Sequence, residues 1–470
     1  MVTTLIVLAH LAGLGTSLHA VFYARSSQGS IAWAMALIWV PYVALPLYWV
    51  FGRSRFVGYV RARRAEDVMH SETAQRVRDD AEQFVARLSE DAGQFRSLEG
   101  LARMPFTRGN HAELLVDGAE TFRAILDGIE KAERYVLVQF YILRDDGLGS
   151  DLKDRLVERS KAGVKVYFLY DEIGSHGLPR SYLDECRAAG IDVRPFHTTK
   201  GKANRFQVNF RNHRKIVVVD GRVGFVGGHN VGDEYLGKDP KFGPWRDTHM
   251  VVEGPMVQGL QLLFVEDWHW AAKSVPPGLE WMPALSEKGD MAGLVLGSGP
   301  ADQLETCNLM FIHAIHSARR RVWIATPYFV PNEEIVAALQ LAGLRGVDVR
   351  ILLPKNPDDK LVWLASFSYL EIAAKTNLRI DRYTEGFMHQ KVILVDDVAG
   401  VGTANLDNRS LRLNFEVTAL LADAGFAAQV EKMFLADFER STPATADELV
   451  GKSFPFKLAV KVARLFSPIL

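Results

Sequence analysis

The sequence predicts a duplicated α/β protein, two pseudo-symmetric halves of mixed sheet flanked by helices, preceded by an N-terminal transmembrane helical hairpin. Three observations carry this. Residues 1–23 and 31–52 contain no Asp, Glu, Lys or Arg. Further on, ERYVLVQFYIL and AGVKVYFLY are matched by RRRVWIATPYFV and RGVDVRILL, each pair separated by a helix-like stretch, the alternation expected of an α/β body. Finally, the pattern His-x-Lys-x4-Asp occurs twice, at 213–220 and at 389–396.

Each uncharged stretch is long enough to cross the roughly 30 Å hydrocarbon layer as a helix. A cleaved signal peptide is disfavoured for the first, because no basic region precedes it and a second apolar stretch follows at once. The expected hairpin therefore fills 1–52. Pro41 and Pro46 are expected to kink the second span, which packed membrane helices tolerate. Trp39, Tyr42, Tyr48 and Trp49 are either interfacial anchors or packing between the spans. The connecting loop carries one arginine, whereas Arg53, Arg55, Arg61, Arg63 and Arg64 follow the second span before any acid. The positive-inside rule then places the N-terminus and everything beyond residue 52 on the cytoplasmic side. Residues 53–105 are rich in Arg, Glu, Asp and Gln, with Val68, Phe84, Val85, Leu88 and Phe95 scattered among them. They read as a charged helical linker.

The two halves are expected at 106–290 and 291–450. Each contains a strand, a crossover helix with a glycine near its end (Gly163, Gly346) and a second strand. Any two βαβ units look alike, so duplication rests on the recurring motif. Residues 212–230 read NHRKIVVVDGRVGFVGGHN and residues 388–405 read MHQKVILVDDVAGVGTAN. In both, His and Lys (His213 and Lys215, His389 and Lys391) precede a four-residue apolar run that ends at Asp220 or Asp396. Gly227 and Asn230 then correspond to Gly402 and Asn405, and an acid follows each copy, Asp247 in WRDTH and Glu416 in NFE. One copy alone is explained by a core strand with a polar entry turn; two copies in matching surroundings carry little false-positive risk.

With this paired motif the chain resembles the phospholipase D superfamily. Two N-terminal apolar spans, the entry GNHAELLVDG, TPYFVPNEE before the second motif and GTANLDNRSLRLNFE after it are similar to those of bacterial cardiolipin synthases. The resemblance covers nearly the whole chain and implies a duplicated phospholipase D-like fold in a bacterial inner membrane protein. The implied substrate is a phospholipid, phosphatidylglycerol. One molecule donates its phosphatidyl group to another, giving cardiolipin and glycerol without a cofactor.

Exchange of one phosphodiester alcohol for another needs a nucleophile that is neutral near pH 7, an acid for the leaving alkoxide, and donors to the non-bridging oxygens. Histidine exists in both protonation states near neutrality. Two halves related by a pseudo-twofold would bring both motif copies to one cleft. The resemblance implies that one histidine forms a phosphohistidine while the other is the acid and then the base; His213 is taken as nucleophile and His389 as acid/base. Lys215, Lys391, Asn230 and Asn405 would bind phosphate oxygens, and Asp247 and Glu416 would fix the histidine tautomers. Asp220 and Asp396 complete the six-residue catalytic signature, but a strand rises about 3.3 Å per residue, so they are expected to hold the following turn.

The formal charge of −1 gives no overall basic field, which argues against a nuclease and against any nucleic-acid partner. Cys186 and Cys307 lack CxxC or CxxH spacing, so free thiols are expected. No HExxH or GxxxxGK[ST] pattern points to a metal or a nucleotide. His176, His197, His229 and His249 read as structural or substrate-lining. Residues 451–470 form an amphipathic C-terminal helix, with Lys457, Lys461 and Arg464 on one face and Leu458, Val462, Leu465 and Ile469 on another. Such a helix either lies on an anionic membrane surface or docks on the protein's own core. The same catalytic set also suits a phospholipase D or a phosphatidylserine synthase, while a noncatalytic membrane scaffold would be expected to have lost part of it. Oligomeric state is not legible in the sequence.

Overall fold

The computed structural model describes residues 2–24, 27–52, 67–196 and 210–470; His197 and the arginines of 53–64 lie outside them. The first apolar stretch is a single helix, Val2–Tyr23. Over Thr3–Tyr23 it is, among the described residues, the one helix long and apolar enough to cross a membrane. The second stretch differs from the single span expected. It forms two helices, Ser27–Trp39 and Pro41–Phe51, because Pro41 has no N–H to continue the ladder and its ring crowds the preceding turn. Pro46, by contrast, is absorbed inside its helix. His10 meets the break, with Nδ1 3.1 Å from the Ile38 carbonyl and Nε2 2.8 Å from the Tyr42 hydroxyl. Close approach of the helices depends on Gly13, where a Cβ would stand 2.2 Å from the Leu37 carbonyl. Tyr48 is buried between the helices against His19 and Trp33, whereas Trp39 and Tyr42 are exposed.

The body is built on a continuous mixed sheet. Its first half contributes β1 (Thr107–Val116), β2 (Tyr135–Phe140), β3 (Lys165–Asp171), β4 (Asp192–Phe196), β5 (Ile216–Val219), β6 (Val223–Gly227) and β7 (Thr248–Glu253). The second contributes β8 (Met291–Ser298), β9 (Arg321–Ala325), β10 (Asp348–Pro354), β11 (Leu378–Tyr383), β12 (Val392–Val395), β13 (Val398–Gly402) and β14 (Asn414–Ala422). Across the sheet the order is β4-β3-β2-β5-β6-β7-β1-β8-β14-β13-β12-β9-β10-β11. Each strand of the first half thus has its counterpart seven numbers on, reflected about the antiparallel β1–β8 pair. In both halves the three outer strands are parallel and the rest antiparallel. A short strand, Ser441–Ala444, adds to the β11 edge and has no counterpart among the described strands.

The motif strands owe their place to two-sided burial. All four residues of β5 and of β12 are buried, as β-branched runs in the middle of a covered sheet are. Side chains alternate across the sheet. Ile216 and Val218, like Val392 and Leu394, enter one cluster shared by both halves and packed by helices Val257–Ala272 and Ala424–Glu439. Val217 and Val219 face a first-half cluster, and Ile393 and Val395 a second-half one. The shared cluster locks the halves together; the separate ones let each keep its own outer helices.

The segment expected as a linker, 53–105, is helical over Asp67–Glu82, but its later part belongs to the body. Phe84 and Ala86 pair with the start of β1 through Arg108 N to Phe84 O and Ala86 N to Phe106 O, both 2.7 Å. Phe95 and Leu98 are buried in the second-half cluster. Charged neighbours masked these anchors. At the other end, helix Phe454–Leu465 docks through Val460 and Ala463, which are buried, and Phe456, whose ring packs edge-on against Trp363 and Phe367.

Candidate active site

The approach to each motif is stitched to the other half. Arg211–Asn212 pairs in parallel with Asn414–Phe415, and His213 N donates to Phe415 O at 2.9 Å. In the mirrored arrangement, Phe387–Met388 pairs with Trp245–Arg246, and His389 N donates to Arg246 O at 2.8 Å. Each histidine therefore lands beside the acid of the opposite half. His213 Nδ1 lies 2.9 Å from Glu416 Oε2 and 3.0 Å from the Thr403 carbonyl; His389 Nδ1 lies 2.8 Å from Asp247 Oδ2.

A buried aspartate underpins each copy. Asp267 accepts from Asn212, Gln139 and Arg214, at 2.7 to 2.9 Å. Asp437 accepts both arms of Arg246, at 2.9 and 2.8 Å, and Gln390 at 2.9 Å. Arg246 and Arg214 both reach from the first half into the second, Arg214 through Nε to the Glu416 carbonyl at 3.1 Å.

Charge and burial set the protonation states. Both partners of His213 Nδ1 can only accept, so Nδ1 carries the proton and Nε2 keeps its lone pair. Burial lowers His213 to about 4, with Glu416 opposing and Lys215 assisting; burial and Lys391 lower His389 to about 3 against Asp247. Both imidazoles are neutral near pH 7. Burial raises Asp247 and Glu416, but Lys391, His229 and His389 together outweigh it at Asp247, and His213, Lys215 and the Thr403 hydroxyl together outweigh it at Glu416, so both acids end below their ordinary values. Burial carries Lys215 well down and Lys391 to about 8. Each lysine folds back onto its own histidine's carbonyl, Lys215 at 2.7 Å, and Lys391 Nζ also lies 2.8 Å from His389 Nδ1.

The remaining motif residues divide. Asn230 Oδ1 accepts from Ile142 N and its Nδ2 donates to the Tyr235 hydroxyl, both at 3.0 Å, which leaves one amide hydrogen uncommitted. Asn405 Nδ2 donates to Asp407 at 3.2 Å. Asp220 and Asp396, grouped with the catalytic signature in the sequence, are placed away from the imidazoles at the far ends of β5 and β12. Asp220 accepts from the N–H groups of Glu133, Arg134 and Tyr135, and Asp396 from those of Arg319, Arg320 and Arg321. Both adopt positive φ, 53° and 50°. Gly228 sits against Asp247, where a Cβ would stand 2.0 Å from Oδ1. Among the other histidines, His229 and His249 are buried behind Asp247 with rings 5.5 Å apart, while His176 is exposed and turned to the Ile173 carbonyl.

Several contributors were missed in the sequence. The Thr403 and Ser410 hydroxyls donate to the two Glu416 oxygens, at 2.6 and 2.8 Å. The Tyr141 ring lies 5.1 Å from that of His213 and under the Lys215 ammonium. Thr403 could have been found by asking where the two motif copies differ, since Gly228 holds its place in the first. Tyr141, at the end of β2, had no such signal.

The comparisons with known proteins agree with this geometry. A family model described as cardiolipin synthase, PLD-like domain, matches residues 125–240 and 311–438, one segment in each half. Cardiolipin synthase A of Pseudomonas putida is 50% identical over 467 residues, 98% of this chain and 97% of that one; the Pseudomonas entomophila protein of the same name is 49% identical over 470 residues, 99% and 98%. Among solved structures, phosphatidylserine synthase of Haemophilus influenzae superposes with a TM-score of 0.61 at 18% identity, over 80% of this chain and 100% of that one, which speaks for the fold alone. By the match in both halves and the half-identity along nearly its whole length, the chain belongs to the cardiolipin synthase family of phospholipase D-like proteins.

Proposed function

We propose that the protein is a phosphatidyltransferase that moves a phosphatidyl group from one phosphatidylglycerol to another through a phosphohistidine, giving cardiolipin and glycerol. The observation that carries this is the pair of neutral, buried imidazoles, each held at Nδ1 by the other half's carboxylate. In the first step His213 Nε2 attacks phosphorus, the N–P bond forms, and the bond to the glycerol oxygen breaks as His389 gives that oxygen a proton. In the second, neutral His389 takes the proton of the acceptor's glycerol hydroxyl, whose oxygen attacks phosphorus and releases His213. His389 is low in the free protein, so the acid step relies on the anionic phosphodiester, whose charge favours imidazolium beside it. Asp247 and Glu416 stabilise each imidazolium in turn. Lys215, Lys391 and the uncommitted amide hydrogens of Asn230 and Asn405 face growing charge on the non-bridging oxygens. Exchange of one phosphodiester for another is nearly thermoneutral, so no nucleotide is called for.

In this reading the chain is a multi-pass protein of the bacterial inner membrane, its catalytic body on the cytoplasmic side next to its phospholipid substrate. Incubation of purified protein with labelled phosphatidylglycerol as sole lipid is the test. Cardiolipin and free glycerol in equal amounts are expected. Phosphatidic acid without cardiolipin would reassign the protein as a hydrolase, and no turnover at all would sink the proposal.

A further inference from the structure

The C-terminal helix Phe454–Leu465 has three faces, not the two legible in the sequence. At about 100° per residue, Phe456, Val460 and Ala463 fall together and are the docked face. Lys457, Lys461 and Arg464 form the next. The third carries Phe454, Leu458, Val462, Leu465 and Phe466, and it is uncovered: Phe454 is 76% and Leu465 78% exposed, the others 44 to 52%. A helix needs only one apolar face to dock on its own protein; the second serves something else.

Two further observations say what. Residues 449–470 contain Lys452, Lys457, Lys461 and Arg464 and no Asp or Glu, so the segment that carries the uncovered ridge supplies positive charge only. The helix is also tied to the active site. Its C-terminal Leu470 accepts from Arg409 N at 2.9 Å and packs in a cluster with Tyr328, whose ring is 6.4 Å from that of His389. Arg409 belongs to the short helix Asn408–Arg412, which also carries the Ser410 that holds Glu416.

We propose that this ridge is a membrane-docking surface for an anionic lipid face, with Phe454, Leu458 and Leu465 entering the acyl boundary and Lys457, Lys461 and Arg464 meeting lipid phosphates. It seats the side of the catalytic body that bears Tyr328 and His389 against the lipid from which substrate comes. The surface goes beyond the reaction proposed above and does not depend on its chemistry.

The test uses the full-length chain in vesicles, with Leu465→Cys carrying an environment-sensitive fluorophore. Cys186 and Cys307 are buried, and burial pushes their thiols up, Cys186 to about 11, so the new thiol takes the label. In phosphatidylglycerol vesicles the label is expected to shift to the blue and to be quenched several-fold by shallow doxyl lipids, and in phosphatidylcholine vesicles to be quenched much less. An unquenched label in both overturns the proposal. So does a blue shift in detergent that follows protein concentration with a doubling of mass, since a second copy would then cover the ridge. Independently, the double variant Leu458→Asp, Leu465→Asp is expected to lose about tenfold of its turnover on vesicle-embedded phosphatidylglycerol while keeping that on a short-chain, monomeric analogue. Equal loss on both would remove the link between ridge and substrate delivery.

Discussion

The two halves share a strand order and a signature but differ beneath the imidazoles. On the His213 side, Glu416 is held by two hydroxyls and an amide, from Thr403, Ser410 and Asn414. On the His389 side, Asp247 takes the neighbouring Thr248 N–H at 2.8 Å and has a glycine, Gly228, where the other half has Thr403. A shorter acid reaches its histidine because Gly228 leaves room for it. The longer acid needs hydroxyls to pin it. The strands are copied because two-sided burial tolerates little change; the unlike tasks proposed for the two imidazoles would account for a supporting shell that diverges. The acids are also exchanged between halves, so neither half is complete without the other.

The largest effects should separate those tasks. His213→Ala and His389→Ala are each expected to lower cardiolipin formation by at least about 10³-fold. Only His389→Ala should still accept label from phosphatidyl-labelled lipid, trapped as a phosphohistidine, because its nucleophile is intact. Trapping on the His213→Ala variant instead would reverse the assignment. Next come the exchanged acids. Asp247→Asn should reproduce the His389 phenotype and Glu416→Gln the His213 phenotype, each lowering kcat by about 10²-fold or more with KM little changed. If each acid variant instead mimicked loss of the histidine in its own half, the crossed partnership would have no catalytic meaning.

The lysines offer a pH test of the same comparison. Burial lowers Lys215 well below its ordinary value and Lys391 to about 8; Asp247 and Glu416 oppose both shifts, and at Lys215 the neighbouring Lys391 adds to the fall. A lysine is charged below its pKa, so the positive charge Lys391 lends to a phosphate is present below about pH 8 and is lost above it. The affinity for an unreactive phosphodiester analogue, which needs no proton on His389, should therefore hold to about pH 8 and then weaken as that charge is lost. At the acid end, His213 is lowered to about 4, so the neutral nucleophile persists until the pH falls below that. A flat profile to pH 10 would exclude Lys391 from the alkaline limb.

Much of this was legible in the sequence where local pattern determines the outcome. Residues 216–219 and 392–395 are strands because apolar runs of four, β-branched at all but Leu394, fit no other buried element as well, and the repeated histidine and lysine at their entries mark the site. What was not legible depends on distant partners. His213 meets Glu416 across 203 residues and His389 meets Asp247 across 142, and no spacing within one copy says that the acids are exchanged. Phe95 and Leu98 were hidden in a charged segment because two apolar side chains make no periodic signal. Pro41, expected as a kink, is a break, and His10 of the neighbouring helix meets the Ile38 carbonyl beside it. The C-terminal helix needed three dimensions to show that docking uses Val460 and Ala463 and leaves the ridge at Leu458 and Leu465 bare.

The smallest catalytic effect should come from the aspartates that complete the signature. Asp220 and Asp396 are the feature most alike in the two halves: each sits at positive φ after its strand, and each carboxylate collects three consecutive backbone N–H groups leading into β2 or β9. A carboxylate accepts at every lone pair, whereas an asparagine amide would turn a donor toward one of those N–H groups. Asp220→Asn and Asp396→Asn are therefore expected to lower stability by about 1–3 kcal/mol each, read as a lower melting temperature in detergent, with kcat of the folded fraction within about twofold of the parent protein, since a side chain this far along a strand does not reach phosphate. Asp396, the more buried of the two, should show the larger loss. A fall in kcat of a hundredfold with stability unchanged would return these residues to the reaction and make the likeness of the halves chemical as well as structural.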